Sequence, residues 1–349
     1  MVWGTTDFSN HEQVTYVTDE ESGLRAIVSV HDTTLGPALG GTRMYDYEDE
    51  GAALRDGLRL SRAMTYKAAA ADLDLGGGKA VIYGDPGEDK DESLLRAYGR
   101  AIEDLGGKYI TSVDIGTNVS DMDIIAEETE SVVGTSDGLG DPSPITAHGV
   151  FHSVRACTEY IDGTGSLGDI HVVVQGLGKV GSGLASKLRD RGAKVTVADV
   201  NEENIEALTA EYEVDVVGPE EVYDISCDVF SPCAVGGVIN DDTIPRLDCE
   251  AVVGAANNIL DHHRHADALR ERGILYAPDY VVNGGGLITV AKEHYNGTRE
   301  EAYEEAGAIG DRLLEMIERA DEAGISVLDA ANRYAKERIE AGEKELTTA

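Results

Sequence analysis

The stretch "VVVQGLGKVGSGLASKL", residues 172–188, joins an apolar run to three glycines in GxGxxG spacing, Gly176, Gly178 and Gly181, and then to a helical pattern. In such a turn the first glycine permits the tight bend, the second lets backbone approach a pyrophosphate, and the third lets the helix pack closely on the strand. The helix that follows presents unpaired amide hydrogens and a positive dipole end to phosphates. The candidate phosphate cradle is therefore Gly176, Leu177, Gly178, Lys179, Val180 and Gly181. Asp199 closes the next strand, "VTVADV", 18 residues after Gly181. A carboxylate there accepts ribose hydroxyls and repels a 2'-phosphate, and Val200 and Asn201 bring no cation to offset that repulsion, so NAD is the expected cofactor.

Working outward from this loop, "IHVVVQG", "KVTVADV", "CDVFSPC", "AVVGAAN" and "ILYAPDY" read as strands, the first three separated by helical patterns, which predicts a mostly parallel doubly wound sheet. The first 130 residues also alternate: strands "QVTYVTD" and "LRAIVSVHD", an interruption at the glycine- and proline-bearing "LGPALGGTRMY", then the helix "DEGAALRDGLRLSRAMTYKAAA". That helix puts Leu54, Gly57, Leu58, Ser61, Met64 and Thr65 on one face and carries Lys67 near its end. A glycine-rich turn before strand "KAVIYGD", a helix "DESLLRAYGRAIEDLGG", a strand "KYITSVDIG" and a capped helix "VSDMDIIAEET" follow. The loop "GTSDGLGDPSP" (134–144) marks the expected boundary before helix "ITAHGVFHSVRACTEYI". Beyond residue 290, two helical stretches are parted by the tripeptide GIS, the last expected to return to the first domain. The fold expected is α/β with two domains: residues 1–137 with 323–349 for substrate binding and oligomerisation, and a Rossmann-type domain over 138–322, with the active-site cleft between them.

The chain of 349 residues carries a formal net charge of -37, which repels nucleic acid and anionic membrane surfaces and excludes both as partners. The acidic residues are spread along a chain that is 42% hydrophobic, so they describe a solvated surface rather than disorder. No apolar run reaches the ~18 residues of a spanning helix. The N-terminus lacks a basic and then apolar leader pattern, and Cys157, Cys227, Cys233 and Cys249 lack CxxC spacing, which points to reduced thiols and a cytoplasmic setting.

A second glycine-rich segment, "DLDLGGGKAVIYGDP" (72–86), sets Lys79 after three glycines. A phosphate-binding P-loop needs glycine six positions before the lysine and Ser or Thr after it; Leu73 and Ala80 stand there instead. In an apolar setting the Lys79 ammonium is desolvated, which lowers its pKa and makes it a candidate general base. Lys67 lies 12 residues earlier and Asp114 ends "YITSVD", so the two lysines and a carboxylate are expected to converge, with like charge from Lys67 further depressing Lys79.

The segments "GPALGGTRM" (36–44), "MTYKAAAADLDLGGGKAVIYGDP" (64–86), "TSVDIGT" (111–117), "GDPSPITAHGV" (140–150), "GLGKVG" (176–181), "GAANN" (254–258) and "VVNGGGLITV" (281–290), taken in order, resemble the Glu/Leu/Phe/Val dehydrogenase family, and most of all its leucine-acting members. The resemblance implies reversible NAD-dependent oxidative deamination of an L-amino acid to its 2-oxo acid and ammonia, by a homo-oligomer. It assigns the substrate α-carboxylate to Lys67, water activation and carbonyl polarisation to Lys79, and proton exchange with the amine to Asp114. Thr146, Asn257 and Asn283 take cofactor contacts and Asn258 a substrate contact on the same basis. Three positions depart from the family pattern: Ala68 where relatives often carry Asn, Asp72 where Gly is usual, and Gly284 where Ala is usual. Leu39, before Gly40 and Gly41, occupies the place of the lysine that pairs with the side-chain carboxylate in glutamate-specific relatives. A glutamate side chain would then be an unpaired buried charge. Leu39, Gly40, Gly41, Met64, Leu287 and Val290 are the expected substrate contacts, apolar and suited to leucine, valine or isoleucine. Phenylalanine or glutamate oxidation is the alternative within enzymes. A catalytically silent NAD-binding regulator is the alternative outside them, and it predicts loss of Lys67, Lys79 or Asp114, all of which are present.

"DHHRH" (261–265) reads as a polar helix start rather than a metal site, since no Cys or carboxylate cluster accompanies it, and no metal is expected. Only ten of the 29 basic residues are lysine, and Tyr (15) outnumbers Phe (3), a composition suited to a cytosol of molar salt. Because salt screens the self-repulsion of so acidic a chain, the melting temperature is expected to climb from low to molar KCl. A thermal melt series in KCl checks this, and full stability without salt contradicts it.

Overall fold

The computed structural model describes residues 4, 5 and 7–348; positions 1–3, 6 and 349, and with them the start of the stretch read above for a leader, lie outside the described residues. The chain divides into two compact units, Met1–Gly140 with Val290–Thr298 and Ala335–Ala349, and Asp141–Thr289 with Arg299–Tyr334.

The first unit holds β1 (Gln13–Asp19), β2 (Leu24–Asp32), β3 (Ala38–Tyr45), α1 (Glu50–Ala70), β4 (Gly76–Tyr83), α2 (Glu92–Glu103), β5 (Tyr109–Val113) and α3 (Val119–Ala126). Its sheet runs β1-β2-β4-β3-β5, antiparallel from β1 to β4 and parallel from β4 to β5. Leu54 and Leu58 of α1 cover one face against Ile27 and Val81. Leu94, Tyr98 and Ile102 of α2 and Met122 and Ile125 of α3 cover the other against Val28, Met44, Ala80 and Ile82. Each helix begins on a side chain that accepts one of its unpaired amides: Asp49 for α1, Asp91 for α2, and Asn118 for α3 in a reciprocal box with Asp121.

Two sequence expectations are corrected here. "LGPALGGTRMY" does not interrupt the strands, because its residues 38–45 form the interior strand β3. The triple glycine before Lys79 is not a turn either, since Gly76, Gly77 and Gly78 open β4 and Lys79 is its fourth residue. Glycine weakens a strand by propensity, but here only glycine fits. A Cβ on Gly77 would stand 2.1 Å from the Thr65 nitrogen of α1, one on Gly76 2.0 Å from the Asp32 oxygen, and one on Gly40 1.8 Å from the Gly78 oxygen.

The second unit contributes α4 (Ser143–Asp162), β6 (His171–Gln175), α5 (Lys179–Asp190), β7 (Lys194–Ala198), α6 (Glu202–Thr209), β8 (Asp215–Val216), β9 (Val229–Pro232), β10 (Ala251–Val252), α7 (Arg264–Glu271), β11 (Leu275–Tyr276) and α8 (Asp279–Val282). The strands pair in parallel in the order β11-β10-β9-β6-β7-β8. The winding reverses between β6 and β9, the topological switch point beside which such sheets bind ligands.

Four helices complete the chain: α9 (Gly285–His294), α10 (Arg299–Gly307), α11 (Ile309–Ala323) and α12 (Val327–Thr348). The expected GIS break falls between α11 and α12, while the stretch before it is itself divided at Ala308. The glycines of "VVNGGGLITV" open α9, where a Cβ on Gly285 would meet the Ile145 oxygen of α4 at 2.7 Å. In the first unit Arg338 of α12 donates to the Leu73 oxygen at 2.7 Å and to Asp74 Oδ1 at 2.8 Å, and pairs with Asp72 at 3.5 Å. Asp72 sits at φ 57°, a left-handed position that explains why glycine is the usual residue there. Among the described residues no helix is long and apolar enough to cross a membrane.

Gly77→Ala forces the added methyl into the α1 backbone and is expected to cost about 3 kcal/mol or more. A lowered urea midpoint checks this, and a midpoint within error of the unaltered protein contradicts it.

Candidate active site

Lys79 is buried in the middle of the first sheet, its side chain 8% exposed, and its Nζ lies 2.6 Å from Asp114 Oδ2 just beyond β5. Burial is the largest influence on the ammonium and lowers its pKa from the ordinary lysine value; Asp114 opposes that without cancelling it, and Arg43 adds to the lowering. Burial works to raise the Asp114 carboxyl, but the Lys79 and Arg43 cations outweigh it and hold the group below the usual carboxylate range. The pair is thus a desolvated ammonium facing a stabilised carboxylate at proton-transfer distance.

The strands make room for this pair by omitting side chains. A Cβ on Gly41 would lie 2.8 Å from Asp114 Cβ and 2.6 Å from the Val113 oxygen, so Gly41 is what lets Asp114 turn in beside β3. Tyr109 donates its hydroxyl to the Gly40 oxygen at 2.5 Å, pinning β3 from the opposite face. Beyond Asp114, the Thr117 hydroxyl bonds the Thr42 oxygen at 2.9 Å, and Lys90 ties the Gly116 oxygen at 3.0 Å to Asp121 at 2.7 Å.

Strand alternation sets Leu39, Gly41 and Arg43 on the α1 side of the sheet with Lys79, whereas Met44 and Ala80 face α2. Leu39 is buried at 2% exposure. Met64 and Lys67 are half-buried in the last two turns of α1, whose neighbour Thr65 meets Gly77. Leu287 is buried and Val290 half-buried, three residues apart on α9.

In the second unit the glycine loop turns tightly and packs close on its strand. Gly176 adopts φ 94°, Gly181 would bring a Cβ to 1.9 Å from the Gly176 oxygen, and Gly178 has open space where a side chain would be. Asp199 Oδ2 accepts the Leu177 amide and Oδ1 the Asn201 amide at 2.7 Å, which holds the carboxylate at the loop. Val180 follows Lys179 in the first turn of α5, and Lys179 pairs with Asp141 at 2.9 Å. Thr146, in the first turn of α4, lies against Gly285 and Gly286 of α9. Asn283 Nδ2 donates to Asn257 Oδ1 at 2.8 Å and to the Ala255 oxygen at 3.1 Å, and Asn258 sits exposed at φ 53°.

Sequence reading missed Arg43, the cation that shares Asp114 with Lys79: its Nε lies 3.1 Å from Asp114 Oδ2 and its other arm 2.8 Å from Asp56. The signal available was its place two residues after Gly41, on the face of Leu39. His265 of the "DHHRH" segment is buried and accepts the His262 amide at 3.0 Å, with its other nitrogen 3.3 Å from Asp241.

Two family models match the chain: "Glu/Leu/Phe/Val dehydrogenase, dimerisation domain" over residues 11–131, and "Glutamate/Leucine/Phenylalanine/Valine dehydrogenase" over 138–203 and 196–345. The chain is 48% identical over 333 residues to leucine dehydrogenase of Bacillus cereus, covering 95% of this chain and 91% of that one. It is 46% identical over 340 residues to phenylalanine dehydrogenase of Lysinibacillus sphaericus, covering 95% and 89%. Among solved structures, L-tryptophan dehydrogenase from Nostoc punctiforme is similar at TM-score 0.87 and 42% identity, over 96% of this chain and 97% of that one.

Proposed function

Because the chain belongs to the Glu/Leu/Phe/Val dehydrogenase family, we propose that this amino-acid dehydrogenase oxidatively deaminates an aliphatic L-amino acid, leucine, valine or isoleucine, with NAD, and runs the reverse amination. The observation that carries this reading is the buried Lys79–Asp114 pair at 2.6 Å, in a chain that matches the family over nearly its whole length.

Gly176, Gly178 and Gly181 with Asp199 suit a dinucleotide pyrophosphate and ribose, and Thr146, Asn257 and Asn283 suit the nicotinamide end. NAD, when bound, supplies the acceptor for the hydride that leaves the α-carbon. Lys67 fixes the substrate α-carboxylate. Loss of hydride leaves an imino acid, to which water adds as Lys79, neutral, takes one of its protons. Asp114, which takes a proton from the substrate ammonium before hydride leaves, returns it to the nitrogen; ammonia departs as the remaining hydroxyl proton passes to Asp114, and the Lys79 ammonium stabilises charge on the carbonyl oxygen of the 2-oxo acid. Burial favours the neutral form of Lys79 and so the state this step requires.

Leu39, Met64, Leu287 and Val290, with Asn258 at the amine, are the residues assigned to the substrate. The phenylalanine and tryptophan dehydrogenase relatives support a second reading with an aromatic amino acid. The dimerisation domain of the first family model supports a homo-oligomer.

NADH formation with a panel of L-amino acids at high salt tests the reading. Branched-chain substrates are expected to lead, NADP to serve poorly, and Lys79→Ala to lower turnover by about 10²- to 10⁴-fold while the fold persists. Turnover of no amino acid, or an unaffected Lys79→Ala, overturns it. Leu39→Lys buries an unpaired ammonium beside an aliphatic side chain, so leucine kcat/KM is expected to drop by at least about tenfold; unchanged leucine kinetics remove Leu39 from the pocket.

A further inference from the structure

We propose that Arg43, held in place by Asp56 and Tyr47, is the positioning residue that lets Lys79 surrender its proton while Asp114 stays charged. This rests on the proposed role of Lys79 as base and adds a residue to it. The same oxygen of Asp114, Oδ2, receives Lys79 Nζ at 2.6 Å and Arg43 Nε at 3.1 Å. On its far side Arg43 donates to Asp56 Oδ2 at 2.8 Å, and that oxygen also accepts the Tyr47 hydroxyl at 2.8 Å. Arg59 reaches the other Asp56 oxygen at 3.4 Å.

A guanidinium is planar, so anchoring it to two carboxylates fixes both its position and its rotation. The anchors come from separate elements: Arg43 from β3, Asp56 from α1 and Asp114 from the end of β5. The physical need for such a cation follows from burial. If Lys79 were the sole partner of Asp114, giving up its proton would leave a desolvated carboxylate uncompensated, which is strongly unfavourable. With Arg43 on the same oxygen the carboxylate keeps a permanent counter-charge, since guanidinium does not deprotonate in proteins. Neutral Lys79 then becomes an accessible state rather than a costly one.

The charged groups that act on Lys79 are Asp114 after β5, Arg43 on β3 and Asp56 on α1. Strand β2 sets Ser29 opposite it and carries His31, which is bonded to Thr65 at 2.8 Å. Of these, the Arg43 cation favours neutral Lys79 and the Asp56 anion opposes it, so their removal has opposite signs. Arg43, Asp56 and Tyr47 also line an open pocket of about 540 Å³, through which a small cation can reach the place of the guanidinium.

The test measures kcat and KM against pH for Arg43→Ala, Arg43→Lys and Asp56→Asn in the full-length protein. Arg43→Ala is expected to lower kcat by about tenfold to a hundredfold with KM little changed, and to move the limb that reports the base about one pH unit alkaline. Asp56→Asn is expected to move that limb toward acid, and Arg43→Lys to keep it in place with partial kcat. Guanidinium at low concentration is expected to restore part of the Arg43→Ala turnover. Limbs that do not move, or that move the same way in Arg43→Ala and Asp56→Asn, with no rescue, overturn the proposal even if kcat drops. Should Arg43→Ala lose its circular dichroism signature, Asp56→Asn and Arg43→Lys decide alone. An unaltered protein that turns over no L-amino acid overturns the functional reading and this role together, whereas an active one with unmoved limbs overturns this role only.

Discussion

The first unit is organised by the need to bury one ammonium. Lys79 lies in an interior position of a sheet covered on both faces, where an unpaired charge would cost several kcal/mol even after relaxation. Asp114 compensates it, and Asp114 in turn must be brought across from the end of β5 to the middle of the sheet. That demand accounts for the missing side chain at Gly41, for the anchoring of the Asp114 loop by Thr117 and Lys90, and for the arginine that shares the carboxylate. The ion pair stabilises little by itself, because desolvation offsets most of its attraction. What the arrangement does is bias Lys79 away from its charged form while the carboxylate of Asp114 stays favoured.

The second unit was the easier to read in sequence. Its central strands β6 and β7 are short apolar runs followed by Gly176 and Asp199, and a parallel sheet covered on both faces leaves that mark because its central strand residues are buried on either side. The glycine loop was equally plain, since the spacing of Gly176, Gly178 and Gly181 encodes a local geometry, with Ala234 and Cys233 packed behind it. The helix α9 hid for the opposite reason: three consecutive glycines argue against helix by propensity, and the closeness of Ile145 and Thr146 explains Gly285 among them.

The same gap separates the two readings of the first unit. Glycines 40, 41, 76, 77 and 78 look like turn residues in one dimension, whereas each faces backbone or a ring that belongs to another element. Lys79 and Asp114 could be singled out because charged residues in apolar surroundings are unusual. Arg43 was harder, because its one mark in sequence is its place two residues after Gly41, which becomes telling only once β5 sets a carboxylate beside it.

The glycine-packed sheet also bears on how such a protein changes over generations. Along β3 and β4 the positions nearest Lys79 admit no side chain at all, so nearly every mutation there is removed by loss of folding before its effect on chemistry matters. Variation is left to the flanking positions that do carry side chains, such as Leu39 and Met64, where a swap of similar volume is tolerated. On the proposed roles, a lineage built on this sheet can drift in what it accepts while its reacting groups stay fixed, and relatives of nearly half-identical sequence carrying leucine and phenylalanine in their names are the kind of divergence that such a division permits.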